Sequence, residues 1–293
     1  MTKETFYKNR DGSLVPVPIS NNRLIEKMFS HTVTRGIMKL VSARWFAEIE
    51  RAVLSSFFSS FFITKFVRKN GIKLREYKKK KYTSFHDFFY REIKPESRPL
   101  ALGADALISP CDCKASVYRI HEDSCFAVKG VPYTVAEVLG GDEKLAAGYN
   151  GGYFFLLRLS LDDYHHYCYP VSGRKEPDVA IPGKLYTVHP LIHKYAAVYR
   201  ENARRFAVIT TENAHGVLMM EVGALGVGKV VNDHTGTADV AQGQEAGHFE
   251  FGGSTILVLV PEGSYIPDED LTANTKDGFE TVVKMGQHIG QRI

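Results

Sequence analysis

Cysteine is scarce in this chain, with four in 293 residues. Cys111, Cys113, Cys125 and Cys168 include no Cys-x-x-Cys pair, which argues against a disulfide-built scaffold and for free thiols in a reducing compartment. Long hydrophobic runs are lacking too. The longest uncharged stretch near the N-terminus, Ala52 to Thr64, has 13 residues, where a membrane-spanning helix needs about 20. Met1-Thr2-Lys3-Glu4 leads into polar sequence, so a secretory signal is not expected. There is no internal repeat, and the one low-complexity tract is the run Lys78 to Lys81.

What is present is the composition of a folded protein, 44% hydrophobic and 24% charged, long enough for one large domain or two ordinary ones. The formal net charge of +4 conceals a division. Met1 to Ile93 holds 19 Lys+Arg against 8 Asp+Glu, giving +11; the remainder holds 18 against 25, giving −7. The two segments therefore face different surroundings.

From Asn21 to about Lys69 the apolar pattern is helical. In Ser55-Ser56-Phe57-Phe58-Ser59-Ser60-Phe61-Phe62 a helical period puts four phenylalanines on one arc and four serines on the other. Lys65, Arg68, Lys69, Lys73, Arg75 and the lysine run follow. Two outcomes are open: a phenylalanine stripe packed on a core beside a solvated charge run, or an interfacial helix beside a polybasic patch on an anionic membrane surface. No nucleic-acid-binding motif accompanies the charge, so nucleic acid is not an expected partner.

A short helix from Ser84 runs into a Pro-punctuated connection ending near Pro99. The domain boundary is placed here, separating a helical membrane-associating segment (1–93) from a β-rich domain (94–293). Beyond it, short β-type runs dominate: Ser116 to Ile120, Tyr153 to Leu159, Ala207 to Thr211, Val217 to Val222, Val227 to Val231 and Thr255 to Val260. The expected class is α+β.

Three constellations could carry chemistry. Ile108-Ser109-Pro110-Cys111-Asp112-Cys113-Lys114 precedes a strand, where an Asp after Pro also suits a turn. Asp162-Asp163-Tyr164-His165-His166-Tyr167-Cys168-Tyr169-Pro170 follows a buried strand and gathers two histidines, aromatics and a thiol, an unusual set for a structural loop. Phe249-Glu250-Phe251-Gly252-Gly253-Ser254-Thr255 sets two glycines before a nucleophile-capable serine, though a glycine turn opening a strand explains it equally. Cys111, Cys113, Cys168 and a histidine are too weakly spaced for a zinc site, and no metal is expected. A hydrolase built on Ser254, His165 and Asp112 lacks the Gly-x-Ser-x-Gly elbow.

In order along the chain these pieces resemble the phosphatidylserine decarboxylases. The likeness starts at Phe85-His86-Asp87-Phe88-Phe89-Tyr90-Arg91 with Lys94-Pro95 and Arg98-Pro99. It continues through Ser109-Pro110-x-Asp112, Val128-Lys129-Gly130 with Tyr133, and Asp163-Tyr164-His165. It closes with Gly243-x-Glu245-x-Gly247-x-Phe249-x-Phe251-Gly252-Gly253-Ser254-Thr255 and Met285-Gly286-x-x-Ile289-Gly290. The resemblance implies self-cleavage between Gly253 and Ser254. Ser254 attacks the Gly253 carbonyl, and the chain then separates into 1–253 and 254–293, with a pyruvoyl group made from Ser254. That ketone, by the same resemblance, forms a Schiff base with phosphatidylserine and serves as the electron sink for its decarboxylation to phosphatidylethanolamine. The expected assembly is a heterodimer of the two fragments, with further oligomers left open, and the expected location is peripheral, on the cytoplasmic face of a membrane.

The resemblance also implies an Asp/His/Ser relay for the cleavage, with Asp112 as the acid and Ser254 as the nucleophile. The family's Asp-Tyr-His-Arg-x-His pattern reads Asp163-Tyr164-His165-His166-Tyr167-Cys168 here, so Cys168 stands at the relay histidine and Cys113 replaces the usual glycine after the acid. His165 matches the first family histidine, implied to assist decarboxylation or reprotonation. Three sources of the base are open: a Cys168 thiolate, His165 or His166 turned inward, or none, with processing lost. Two further functions stay open with them: the same chemistry on another serine-headed lipid or a soluble amino acid, and an unprocessed membrane-surface binding protein.

Overall fold

A computed structural model describes residues 6–17, 44–79, 81–121, 123, 125–128, 130–186, 197–213, 216–224, 230–250, 252 and 254–293. The expected helical pattern between Asn21 and Ala43, and Lys80, Lys129, Phe251 and Gly253, lie outside them. The architecture is α+β. Among the described residues the largest sheet has 11 strands. Its central strands run antiparallel in the order Arg204–Thr210, Gly216–Val222, Ser254–Val260, Tyr153–Leu159, Cys113–Arg119 and Thr281–Val283.

The strand Ser254–Val260 is buried at every position, which is why it reads as an uninterrupted apolar run and not an alternating one. Successive side chains go to opposite faces. Leu257 and Leu259 join Phe154, Leu156, Leu218 and Met220 in one core; Ile256, Val258 and Val260 join Phe155, Leu157, Val217 and Met219 in the other. Ser254 shares the parity of Ile256. On that face lies a second sheet, His166–Cys168, Glu245–Phe249 and Val230–Asn232, whose Tyr167, Ala246 and Phe249 complete the core.

The N-terminal segment carries a pair of strands as well as helices. Phe6–Lys8 and Leu14–Pro16 are strands at the edge of the large sheet, with Lys8 opposite Thr281. Their anchor is long-range: Arg158 pairs with Glu280 at 2.5 Å and donates to the Tyr7 hydroxyl at 3.2 Å, all three side chains buried. The two strands pair with each other as a local hairpin, and Lys8 opposite Thr281 ties that hairpin to the sheet.

The serine–phenylalanine stretch follows the helix Arg44–Leu54 and forms a 3-10 helix, Phe57–Phe62, leading into the helix Ile63–Asn70. Its phenylalanines face outward: Phe57, Phe58, Phe61 and Phe62 are each between 66% and 75% exposed. The inward position belongs to Ser59, which donates to the Leu54 carbonyl and accepts from the Phe85 backbone N–H at 2.8 Å. The core-facing stripe is therefore not what forms; the polar edge turns in because Phe85 offers it a hydrogen bond. Phe85–Phe89 is a single helical turn capped by Ser84, which accepts from the Asp87 N–H at 3.1 Å, and it buries Phe85, Phe88 and Phe89.

Candidate active site

Ser254 begins its strand opposite Leu159 and is fully buried. Its hydroxyl has no hydrogen-bond partner among the described residues, an expensive state for a buried polar group. The chain reaches it from the strand Glu245–Phe249 through Gly252, whose φ of +138° lies where a side chain is strained. Gly253 lies outside the described residues.

His165 is held beside this turn. Its backbone carbonyl accepts from the Phe249 N–H at 2.9 Å, and its ring tilts against Phe89 with centroids 4.2 Å apart. Nδ1 lies 3.0 Å from the Asp163 backbone carbonyl. A carbonyl only accepts, so Nδ1 carries the proton and Nε2 the lone pair. Nε2 has no partner among the described residues. Burial, then the positive charge of Arg91, push the ring's pKa down to about 3, while the neighbouring Gly252 carbonyl is a group that would favour a proton there. The imidazole is neutral, with the Gly252 carbonyl beside it as the nearby acceptor.

Asp112 is buried and saturated. Arg98 grips it with two bonds of 2.6 and 2.8 Å, Lys284 approaches at 3.1 Å, and the Met285 N–H donates at 2.9 Å. Burial alone would raise its pKa, but Lys284 and Arg98 overcome that and hold the carboxyl below its ordinary value. No bond joins it to a histidine among the described residues. Asp163 is likewise held as an anion: burial opposes ionisation, yet Lys114 at 2.6 Å brings its pKa down to about 2.

Cys168 backs onto the Asp112 loop. Its N–H donates to the Pro110 carbonyl at 2.8 Å, and its sulfur sits 3.9 Å from the Ser109 carbonyl. Burial pushes the thiol up to about 12, so it stays protonated at neutral pH. Cys113 packs on the Ser254 side of the sheet, and all four cysteines are free. Among the described residues no group of three or more His, Cys, Asp or Glu could hold a metal. His166 points the other way from His165. It bonds Glu245 at 2.6 Å and stacks between Tyr164 and His248.

Several contributors carried no role in the sequence. Arg98 sits in the Arg-Pro motif and Lys284 directly precedes the Met-Gly motif, a positional hint without a mechanism. Glu221, opposite Ile256 on the Ser254 face, is buried beside Asp178, and both effects, burial first, push it up to about 8; an acid in the middle of an apolar strand is its one sequence signal.

A family described as phosphatidylserine decarboxylase matches residues 85–291. The chain belongs to the phosphatidylserine decarboxylase family. A phosphatidylserine decarboxylase proenzyme 2 of Clostridium acetobutylicum is 39% identical over 290 residues, spanning 99% of this chain and 96% of that protein. A phosphatidylserine decarboxylase proenzyme of Chlamydia caviae is 40% identical over 232 residues, 78% of this chain and 77% of its own. One from Desulfitobacterium hafniense is 32% identical over 299 residues, 98% of each chain. The phosphatidylserine decarboxylase match starts at Phe85, so the whole Phe85–Arg91 segment, including the ring that covers His165, belongs to the matched region.

Proposed function

We propose that this chain is a self-processing phosphatidylserine decarboxylase, that Ser254 becomes its pyruvoyl group, and that His165 is the base for the processing step. One observation carries the proposal: Ser254 Oγ and His165 Nε2 are both buried and without a hydrogen-bond partner among the described residues, and His165 lies beside Gly252, two residues before the nucleophile. A hydroxyl without a partner and a neutral imidazole with a free lone pair are the two ends of a proton transfer. In that step Nε2 takes the hydroxyl proton as Oγ bonds to the Gly253 carbonyl carbon and returns it to the departing nitrogen as the peptide C–N bond breaks, leaving an ester and a free amine at residue 254. Loss of the Ser254 α-proton releases the upstream chain as a carboxylate, and water then displaces ammonia to leave the ketone. The fragments 1–253 and 254–293 stay together as a heterodimer.

The residues present suit a pyruvoyl group at 254: the position is walled from water, begins a rigid strand and has a proton-handling ring nearby. That group supplies a ketone electron sink for decarboxylation of an amine substrate. Asp112 acts as a fixed anion that fastens Arg98 and the Lys284–Met285 turn around the site. Cys168 fills the relay position as a neutral thiol, and His166 braces Glu245 on the other side of its strand.

Phosphatidylserine is met at a bilayer, and the N-terminal segment supports a peripheral location. The four outward phenylalanines form an apolar tip, with exposed Lys65, Arg68, Lys69, Lys73 and Arg75 behind it for an anionic surface. Among the described residues no helix is long and apolar enough to cross a membrane.

The test is one gel and one intact mass. Purified protein is expected as a large and a small fragment, and Ser254→Ala as a single chain. A small fragment that begins with an ordinary serine sinks the proposal even where cleavage occurs. Headgroup analysis after incubation with phosphatidylserine vesicles or with free serine distinguishes the lipid substrate from a soluble one.

A further inference from the structure

Arg91 is 1% exposed, yet no carboxylate pairs with it among the described residues. Its guanidinium lies between the rings of Tyr77 and Phe88, 4.8 and 4.7 Å from their centroids. It donates to the backbone carbonyls of Asp162 at 3.1 Å and Asp163 at 2.9 Å, and its Nε has no partner among the described residues. Burying a cation without an anion is costly, and a fold keeps such an arrangement for a reason. The Asp163 carbonyl is also the acceptor for His165 Nδ1. Arg91 thus occupies one lone pair of the oxygen whose other lone pair fixes the histidine.

We propose that Arg91 is a positioning residue for His165, its unpaired charge and its hold on the Asp163 carbonyl keeping the ring neutral, with the proton on Nδ1 and Nε2 free. Two effects act together. The bonded carbonyl cannot swing away, so the ring has one acceptor in one place. A second positive charge on the imidazole is opposed by the guanidinium already there, in surroundings where water screens little. The other groups around the ring do not reverse this. Asp163 favours a charged ring but is neutralised by Lys114. From the strand ending at Phe249, His248 and the following Glu250 are engaged with Tyr90, and Gly252 offers only a carbonyl. Phe89 covers the ring face. The Phe85–Arg91 segment therefore tunes the base as well as packing against it.

This inference rests on His165 as the processing base, and the test separates the two. The Ser254→Ala precursor is labelled with 15N on histidine and its ring signals are followed by NMR from pH 8 down to about pH 2.5, past the expected midpoint, with His165 assigned from a His165→Ala companion. In that background His165 is expected as a neutral Nδ1–H ring down to pH 5. Arg91→Gln is expected to raise its titration midpoint by about one pH unit or more, and Arg91→Lys, which keeps the charge, to restore most of the shift. In the cleavable chain, the acid limb of the self-cleavage rate should move in the same order. An Nε2–H tautomer or an imidazolium at pH 5.5 in the Ser254→Ala precursor overturns the proposal even where Arg91→Gln does not fold. A folded Arg91→Gln with an unchanged midpoint overturns it as well. Wild-type cleavage in His165→Ala instead removes the base assignment, while the NMR midpoints still decide the role of Arg91.

Discussion

Arg91 and His165 bind the same oxygen, the Asp163 carbonyl, at 2.9 and 3.0 Å. One belongs to the segment after the N-terminal helices and the other to the loop after a central strand, 74 positions apart in sequence by subtraction of their numbers. Their meeting makes the base assignment specific enough to separate from its rivals by mutation.

His165→Ala is expected to slow self-cleavage by about 10²- to 10⁴-fold, the range for losing a positioned base. Cys168→Ala should cleave at close to the normal rate, because a thiol pushed up to about 12 contributes little thiolate at neutral pH. Densitometry of the two fragments over time, at pH 7 and matched protein concentration, measures both. A reversal of the two outcomes would return the thiol to the mechanism.

Acid stability should carry the signature of Asp163. Its folded pKa of about 2 lies below the ordinary 3.8, so its contribution is fully present above about pH 4 and is lost as pH falls toward 2. The difference is worth about 2 kcal/mol. Urea midpoints of the Ser254→Ala precursor at pH 7, 4 and 3 should fall across the lower pair. Asp163→Asn should be less stable at pH 7 and show a shallower fall.

The phenylalanine tip predicts a separation of binding from folding. Phe58→Ser with Phe61→Ser should weaken co-sedimentation with phosphatidylserine-containing vesicles at least tenfold, since each buried Phe is worth roughly 1.5–3 kcal/mol. The melting temperature should move little, because both side chains lie mostly outside the fold, at 75% and 70% exposure. High salt should weaken the remaining attraction of the flanking lysines and arginines. Undiminished sedimentation of the double variant would place the membrane contact elsewhere.

Much of the β-rich part of the chain was legible because buried strands advertise themselves. Tyr153 to Leu159 forms as expected, and the expected Thr255 to Val260 and Val217 to Val222 each begin one residue earlier. The expected Ser116 to Ile120 starts at Cys113, since Cys113, Lys114 and Ala115 pair with the distant Thr281–Val283. Val227 to Val231 overlaps the observed Val230–Asn232, and its first three residues lie outside the described set. In the site, Ser254, Asp112 and the histidine loop were visible as motifs. Their electrostatics were not: Asp112 takes its partners from Arg98 and Lys284, and the His165 ring is pushed down by burial first and then by the charge of Arg91, each at a separation that no periodicity encodes. The direction of the phenylalanine arc was equally hidden, because an amphipathic pattern shows that two faces differ without showing which one meets a core. Here the Ser59–Phe85 hydrogen bond decides it.

The strand Ser254–Val260 is hydrogen-bonded on both sides, to Gly216–Val222 and to Tyr153–Leu159. A cut before Ser254 therefore severs the chain at the start of a central strand without loosening that strand. On the proposed processing, the sheet would assemble as a single molecule beforehand, and anything that unfolded it afterwards would release two separate polypeptides whose reunion depends on concentration. Maturation would thus turn a refoldable protein into one whose persistence is set by how slowly it opens, and a denatured mature enzyme should recover far less completely than a denatured Ser254→Ala precursor.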